Sequence, residues 1–520
     1  MVETSGHSDI AALAKGGRTN FLGFLLRLAA RLPFLFIAGR LYGAENLGRF
    51  ASAVIVVEFA AQLATFGQKR GLAQQLAQSS RPAASVIADA LLLCLAASAV
   101  LALLLWLFPL PLFPSGQYTA TERLLPLVIF PIAAADIALA ALAFRYDIGA
   151  TVRARSIVEP WVLSIAAGLL WFVLPRTGMI IAYFVSMTAA LAAAVVPLVR
   201  SYGLPRQWSP QPLEIGRQAL VNLPIAGADM VESGTRKLDI ALLGAFAPPA
   251  AVGIYYVAQQ VASLPQKLRT SFEPILGPVI TRNLAEGNLA AIASQVCQVG
   301  FWIIAAQAGV ALALGIPGEA VMGLVGPSFV GGTAALAFLL LAEVVAATAV
   351  VSEAALIFMA PLRNLAISLA TLLLQGGLTI LLIQVAGDAP WYARHLFGGT
   401  IDPDRVPLFQ AAAAAAALML ALALASVAKA WLLSRCVRRP VHNWRWALVW
   451  ATAPAVIVGW LATRLPEWAE LAFGIPAILL AYGFVIWRRG FGPEDRLLFR
   501  RKAHAASESG SDIRAGETTC

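Results

Sequence analysis

Apolar residues run along this chain in long blocks, each close to the length of a bilayer crossing and each closed by a short polar or basic stretch. A crossing helix needs roughly 20 mostly apolar residues. Fourteen runs meet that need: 20–42, 47–66, 86–108, 124–144, 157–174, 179–199, 215–246, 252–274, 292–316, 334–359, 365–386, 408–433, 446–463 and 469–487. The pattern predicts an all-α, polytopic membrane protein with about 14 transmembrane helices. The first run is no cleavable signal, because it holds Arg27 and Arg31, passes twenty residues and lacks a small-residue cleavage site after it. The alanine run 411–417 falls inside the twelfth span and reads as close helix packing.

Composition agrees. The chain has 520 residues, 59% hydrophobic and 13% charged, against about half apolar and about a quarter charged in an average globular chain. That charge is too scarce to coat a soluble surface, and the same numbers exclude disorder for the whole chain. The net charge is +10. It is not gathered on a polar domain, so nucleic acid is not an expected partner. Instead the Lys and Arg residues crowd alternate loops: Lys69, Arg70 and Arg81; Arg145, Arg153 and Arg155; Arg435, Arg438, Arg439 and Arg445; and the tail from Arg488. By the positive-inside bias these loops and both termini are cytoplasmic. Four cysteines and four histidines stand as singletons without metal-ligand spacing, so no metal, cofactor or disulfide framework is expected.

Charges inside the spans are the candidates for function. Arg27 and Arg31 lie four residues apart in the first span, on one helix face. Each costs about 2.5–3.5 kcal/mol near the bilayer centre, so they predict a water-filled cavity or acidic partners. The seventh span holds Asp229, Glu232, Arg236, Lys237 and Asp239. Four of these share one face within about 80°, while Lys237 turns about 100° away. Such a cluster either neutralises itself along the helix, Glu232 to Arg236 having the favourable order, or lines a polar pathway. Lone acids are Glu58 in the second span, Asp136 in the fourth, and Glu343 and Glu353 in the tenth. Glu58 is placed to neutralise Arg27 or Arg31, or to carry a coupling proton. Arg40, at the outer end of its span, can snorkel to the rim.

A weak internal repeat links the two charged spans. At an offset of 205 residues, Gly39 matches Gly244, Leu47 matches Val252, Gly48 matches Gly253, Phe50 matches Tyr255 and Arg31 matches Arg236, while Arg27 falls on Glu232. Both copies read as short, turn-rich outer connections followed by an apolar helix. Six spans separate them, so the repeat is parallel. It predicts two pseudo-symmetric six-helix lobes around a central cavity, plus two C-terminal helices. The corresponding domains are a disordered cytoplasmic N-terminus (1–19), an N-lobe (20–199), a linker (200–214), a C-lobe (215–433), two further spans (446–487) and a basic tail (488–520).

The arginine-bearing first span followed by GRLYGAENLGRFASAVIVVEFAAQLATFGQKRGLAQQLAQ resembles the Wzx-type flippases, the polysaccharide-exporting branch of the multidrug/oligosaccharidyl-lipid/polysaccharide exporter superfamily. Stretches 236–288 and 325–364 are similar to it too. The resemblance implies two six-helix bundles that alternate between inward- and outward-open states in a bacterial inner membrane. Its cargo would be an oligosaccharide on undecaprenyl pyrophosphate, with polysaccharide polymerase and co-polymerase proteins as further partners, and no enzymatic activity. It puts cargo contact on Arg31 and Arg236 first and Arg27 second, whose planar forks suit phosphate oxygens. Asp229, Glu232 and Asp239 would be sugar or counter-charge contacts, and Glu58 and Glu343 counter-charge or coupling residues. The alternatives are a peptidoglycan-precursor flippase or a drug/cation antiporter of the same superfamily. A glycan polymerase or ligase is a further alternative, pointed to by Arg394 and His395 in the outer loop 387–407.

Overall fold

The computed structural model describes residues 32–114, 116, 118–206, 208–270, 280–396 and 400–492, without the side chains of 148, 228, 231, 232, 235, 236, 267–270 and 396. The described chain is helical, as an apolar environment demands: with no water to meet backbone N–H and C=O groups, a crossing segment must satisfy them within itself. The helices are α1 (Gly43–Ala64), α2 (Gln68–Gln78), α3 (Ala83–Leu107), α4 (Ile129–Phe144), α5 (Glu159–Trp171), α6 (Gly178–Tyr202), α7 (Pro212–Phe246) and α8 (Pro249–Thr270). There follow α9 (Leu289–Gly315), α10 (Gly318–Val325), α11 (Thr333–Met359), α12 (Pro361–Gly387), α13 (Ala389–Leu396), α14 (Val406–Val437), α15 (Ala447–Ala462) and α16 (Ile475–Val485). Every apolar run from the second to the fourteenth has its helix, and the first enters the described residues at Leu32. Among the described residues, 9 helical segments are long and apolar enough to cross a membrane, and α15 is a shorter apolar helix. The chain is a polytopic, all-α membrane protein.

Two compact units form. The first holds the chain up to Ser263 with Gly318–Ala342 and Leu365–Ala425; the second holds Leu264–Pro317, Glu343–Asn364 and the chain from Ser426. In the first unit α6 packs along α4 and α5, and α1 lies against α4 and α7. In the second, the two C-terminal spans α15 and α16 pack on α9. The Tyr482 ring rests against Gly309, and Arg445 covers the Phe301 ring 4.1 Å from its centre.

The connections at the two copies of the repeat differ from the turn-rich outer loops expected of them. Ala38–Tyr42 form a wide π-turn and α1 begins at once, the change of direction falling on Gly43 at φ 80°. That left-handed backbone suits glycine. In the other copy α7 runs through Gly244 to Phe246, and α8 starts at Pro249. Proline at a helix start needs no backbone donor, which lets α8 begin so soon.

The repeat itself is visible as a reciprocal contact. A Cβ on Gly48 would collide with the Pro249 carbonyl and approach the Gly253 N–H at 2.8 Å; a Cβ on Gly253 would collide with the Ala44 carbonyl and approach the Gly48 N–H at 3.1 Å. Ala44 and Pro249 are themselves 205 positions apart. Repeat-related residues thus touch each other's partners, the signature of a two-fold contact. The pattern extends inward: Phe34 and Phe50 pack with ring centres 5.8 Å apart, and their counterparts Asp239 and Tyr255 form a hydrogen bond.

The Gly48→Ala and Gly253→Ala substitutions should each destabilise the protein by about 1–3 kcal/mol through overpacking of backbone against backbone. Together they should cost less than the sum, because they share one contact. Thermal melting in detergent checks this, with Gly377→Ala as control, since a Cβ there meets nothing within 4 Å.

Candidate functional site

The charges that sequence reading marks inside the spans do not stay on their own helices. Lys237 of α7 reaches α1 and donates to Glu58. Tyr183 of α6 donates to the other oxygen of Glu58 at 3.3 Å, and the Tyr183 ring stands edge-on to Phe50. Two turns earlier on α7, Asp229 faces Arg70 of α2, with Nε to Oδ1 at 3.1 Å. The Asp229 side chain is 4% exposed and that of Arg70 is 59% exposed. Asp239, fully buried, accepts hydrogen bonds from the Tyr255 hydroxyl of α8 and, at 2.9 Å, from the Ile240 amide. The three charged residues of the 229–239 cluster whose side chains are described, Asp229, Lys237 and Asp239, are thus each met from another helix. Intrahelical self-neutralisation does not account for them.

A second cluster lies within the first unit. Arg155 stands in a π-turn, Val152–Val158, that leads into α5. Its guanidinium donates to Asp136 of α4, to Glu159 at 2.9 Å and to the Ile132 carbonyl at 3.3 Å. Lys69 of α2 approaches the second oxygen of Asp136 at 3.6 Å. Burial works against the charge on Arg155, but Asp136 and Glu159 more than offset it and hold the guanidinium above its ordinary value. Near the start of α1, Arg49 pairs with Glu122 at 3.2 Å. Arg49 and Ser52 line a cavity of about 270 Å³ together with the 244–249 turn between α7 and α8.

The second unit has its own pair. Lys429 of α14 donates to Glu353 of α11 at 2.9 Å, and Asn364 of α12 donates to the other oxygen at 3.4 Å. Lys429 is buried. Glu343 stands half-buried on α11.

Of the sequence-chosen residues, Arg27 and Arg31 lie outside the described residues. Arg236 and Glu232 have their backbones on α7, but their side chains are not described. Glu58 is brought together with Lys237, a residue the helical wheel turns away from the cluster. Lys69, Arg70 and Arg155, which the positive-inside count assigns to the rim, each face an acid of a span. Lys429 and Asp89 lie within predicted spans and are not singled out by the sequence reading. Asp89 is held by Arg81 at 2.6 Å and by the Trp208 indole at 2.8 Å. The available signal was composition alone, a charge inside a span. On α13, His395 bonds the Trp391 carbonyl one turn back at 2.9 Å and stacks on its ring. Among the described residues no cluster of His, Cys, Asp or Glu could hold a metal ion.

Long apolar helices tied to one another by buried or half-buried ion pairs define a polytopic membrane protein with a polar interior. Its fold has relatives of known structure. The lipid II flippase MurJ, in an inward closed conformation, matches with a TM-score of 0.64 over 92% of this chain and 99% of its own, at 11% identity. An inward-facing multidrug resistance MATE family transporter of the MOP superfamily matches with a TM-score of 0.60 over 80% of this chain and 96% of its own, at 14% identity. A MOP superfamily transporter from Pyrococcus furiosus, whose binding pocket has reverse polarity, matches with a TM-score of 0.51 over 82% and 95%, at 14% identity. No protein-family model and no curated protein sequence matches the chain. The chain has the fold of these transporters.

Replacing Arg155 by Met strands Asp136 and Glu159 without their shared base. Breaking a buried pair costs about 3–5 kcal/mol, and the fall in melting temperature of the purified protein should show it. The double variant Arg155→Met, Asp136→Leu should recover part of the loss, because one stranded charge is removed along with its partner.

Proposed function

We propose that this chain is a flippase. It moves an undecaprenyl-pyrophosphate-linked oligosaccharide repeat unit from the cytoplasmic to the periplasmic leaflet of a bacterial inner membrane, by alternating access, for surface polysaccharide biosynthesis. The observation that carries the reading is the reach of the fold match. The lipid II flippase aligns over 92% of this chain, whereas the MATE family transporter aligns over 80%. A drug antiporter of twelve spans leaves the last two helices unexplained, and here those helices are packed on α9 as part of the second unit. Basic residues inside the spans support an anionic cargo. A diphosphate needs donors that stay charged, and arginine supplies them in a planar fork.

In this reading Arg31, Arg236 and Arg27 hold the diphosphate. Asp229, Glu232 and Asp239 contact sugar or balance charge, and Glu58 and Glu343 balance charge or couple transport. In this structure Asp239 is buried and accepts a hydrogen bond from Tyr255. Chain order divides the molecule into the six-span lobes 20–199 and 215–433, with 446–487 added. Both termini face the cytoplasm, and polysaccharide polymerase and co-polymerase proteins are its further partners. The second reading, a lipid II flippase, is favoured by the same fold match.

Deletion followed by analysis of lipid carriers tests the proposal. Finished repeat units should accumulate on undecaprenyl pyrophosphate. Accumulated peptidoglycan precursor would support the second reading, and a change in sensitivity to cationic dyes alone would support an antiporter. Arg31→Ala and Arg236→Ala should each lower glycan export by about tenfold or more, the scale of a lost charge-assisted contact, while the protein still inserts. Normal export in both variants would remove the arginine assignment.

A further inference from the structure

The helical wheel leaves Lys237 out of the cargo-binding face, yet the structure pairs it with Glu58 of α1 in an ion pair whose partners are both partly exposed. We propose that Lys237 is a phosphate ligand whose charge is held in reserve by Glu58, and that an anionic diphosphate head group takes Lys237 by displacing Glu58. This rests on the flippase reading and adds to it a residue and a mechanism of loading.

Three features of the pair point there. First, both partners remain open: the Lys237 side chain is 33% exposed and that of Glu58 is 34% exposed. An ion pair partway along two crossing helices that faced lipid would carry a heavy penalty, so the exposed side faces water. A competing anion can therefore reach it. Second, Glu58 has another anchor. The Tyr183 hydroxyl donates to it at 3.3 Å, and Tyr183 is itself buried between its neighbours. When Lys237 leaves, the carboxylate keeps a donor and a fixed place. Third, the neighbouring pair on α7 has the opposite arrangement. There the acid, Asp229, is 4% exposed and the base, Arg70, belongs to α2, so α7 itself presents no base at that level. Lysine suits exchange because its ammonium is a compact charge on a flexible stem, able to swing between partners. Exchange leaves the local charge on Lys237 met throughout, first by carboxylate and then by phosphate.

The test is binding to the full chain in nanodiscs of phosphatidylcholine. The probes are inorganic pyrophosphate, a polyprenyl diphosphate, and phosphatidylglycerol as an anionic lipid lacking a diphosphate. Lys237→Gln should weaken diphosphate binding about tenfold, the scale of one charge-assisted contact. Glu58→Gln, which keeps an acceptor for Tyr183, should tighten it several-fold because the competitor is gone. A purely structural pair predicts the reverse for Glu58→Gln: a lower melting temperature and no gain in affinity. The neutral double variant Glu58→Gln, Lys237→Gln should fold and bind as weakly as Lys237→Gln alone, which separates lost binding from lost folding. Higher affinity for polyprenyl diphosphate than for pyrophosphate, with the gain lost in Lys237→Gln, identifies the lipid carrier as the ligand. Equal affinity for pyrophosphate, or preference for phosphatidylglycerol, overturns the cargo assignment. If wild type and Lys237→Gln bind polyprenyl diphosphate equally, the role of Lys237 falls and the flippase reading stands. If wild type binds no diphosphate, both fall.

Discussion

A charge carried into hydrocarbon must be met there, by an opposite charge, a hydrogen-bond donor or water, and this requirement organises the interior of the protein. Asp136, Asp229, Glu58 and Glu353 each lie within a predicted span, and each faces a base from another helix. Desolvating two charges is expensive even when they are paired, and well-packed apolar residues would hold the same helices at lower cost. The pairs therefore do not exist for stability alone. Where the partners are largely covered, as with Arg155, Asp136 and Glu159, the cluster ties one helix to the next. The Glu58–Lys237 pair differs, with about a third of each side chain exposed.

Much of the architecture was legible because hydrophobic run length is a direct consequence of bilayer thickness. Thirteen of the fourteen runs can be matched to described helices, most ends agreeing within a few residues. The site was less legible, for a physical reason. A helical wheel reports directions on one helix and says nothing about what approaches from the next. It places Lys237 off the polar face, and Glu58 comes from α1 to meet it there. The loop count suffers the same limit. Lys69, Arg70 and Arg155 obey the positive-inside bias and also reach back to acids of the spans, two roles that a tally of loop charges cannot separate. The π-turn that carries Arg155 inserts a wider step into the helical ladder, and such turns leave no periodic mark in the sequence.

The repeat gained most from the structure. Four matches in twelve positions are thin evidence in a sequence of this composition, but the reciprocal contact of Gly48 and Gly253 tests them independently. Each glycine lacks the atom that would strike the backbone of the other helix, and each strikes at the repeat-related residue, Pro249 or Ala44. Composition alone does not produce such reciprocity. It requires two helices crossing about a local two-fold axis at the level of these glycines.

That symmetry of backbone carries an asymmetry of chemistry. Phe34 and Phe50 fill one copy with an apolar ring pair, while the same positions in the other copy hold Asp239 and Tyr255, a buried acid closed by a hydroxyl. Lys237 corresponds to Leu32 and Asp229 to Phe24 in the sequence. A duplicated crossing has thus kept its packing contact where the two copies touch and diverged along the helices that lead from it. The Phe34–Phe50 pair needs no polar partner at these positions. In the other copy Asp229, Lys237 and Asp239 each need one, and the structure supplies Arg70 from α2, Glu58 from α1 and Tyr255 from α8. The divergence between the copies therefore commits residues on three other helices, since Glu58, Arg70 and Tyr255 each answer a charge that α7 presents.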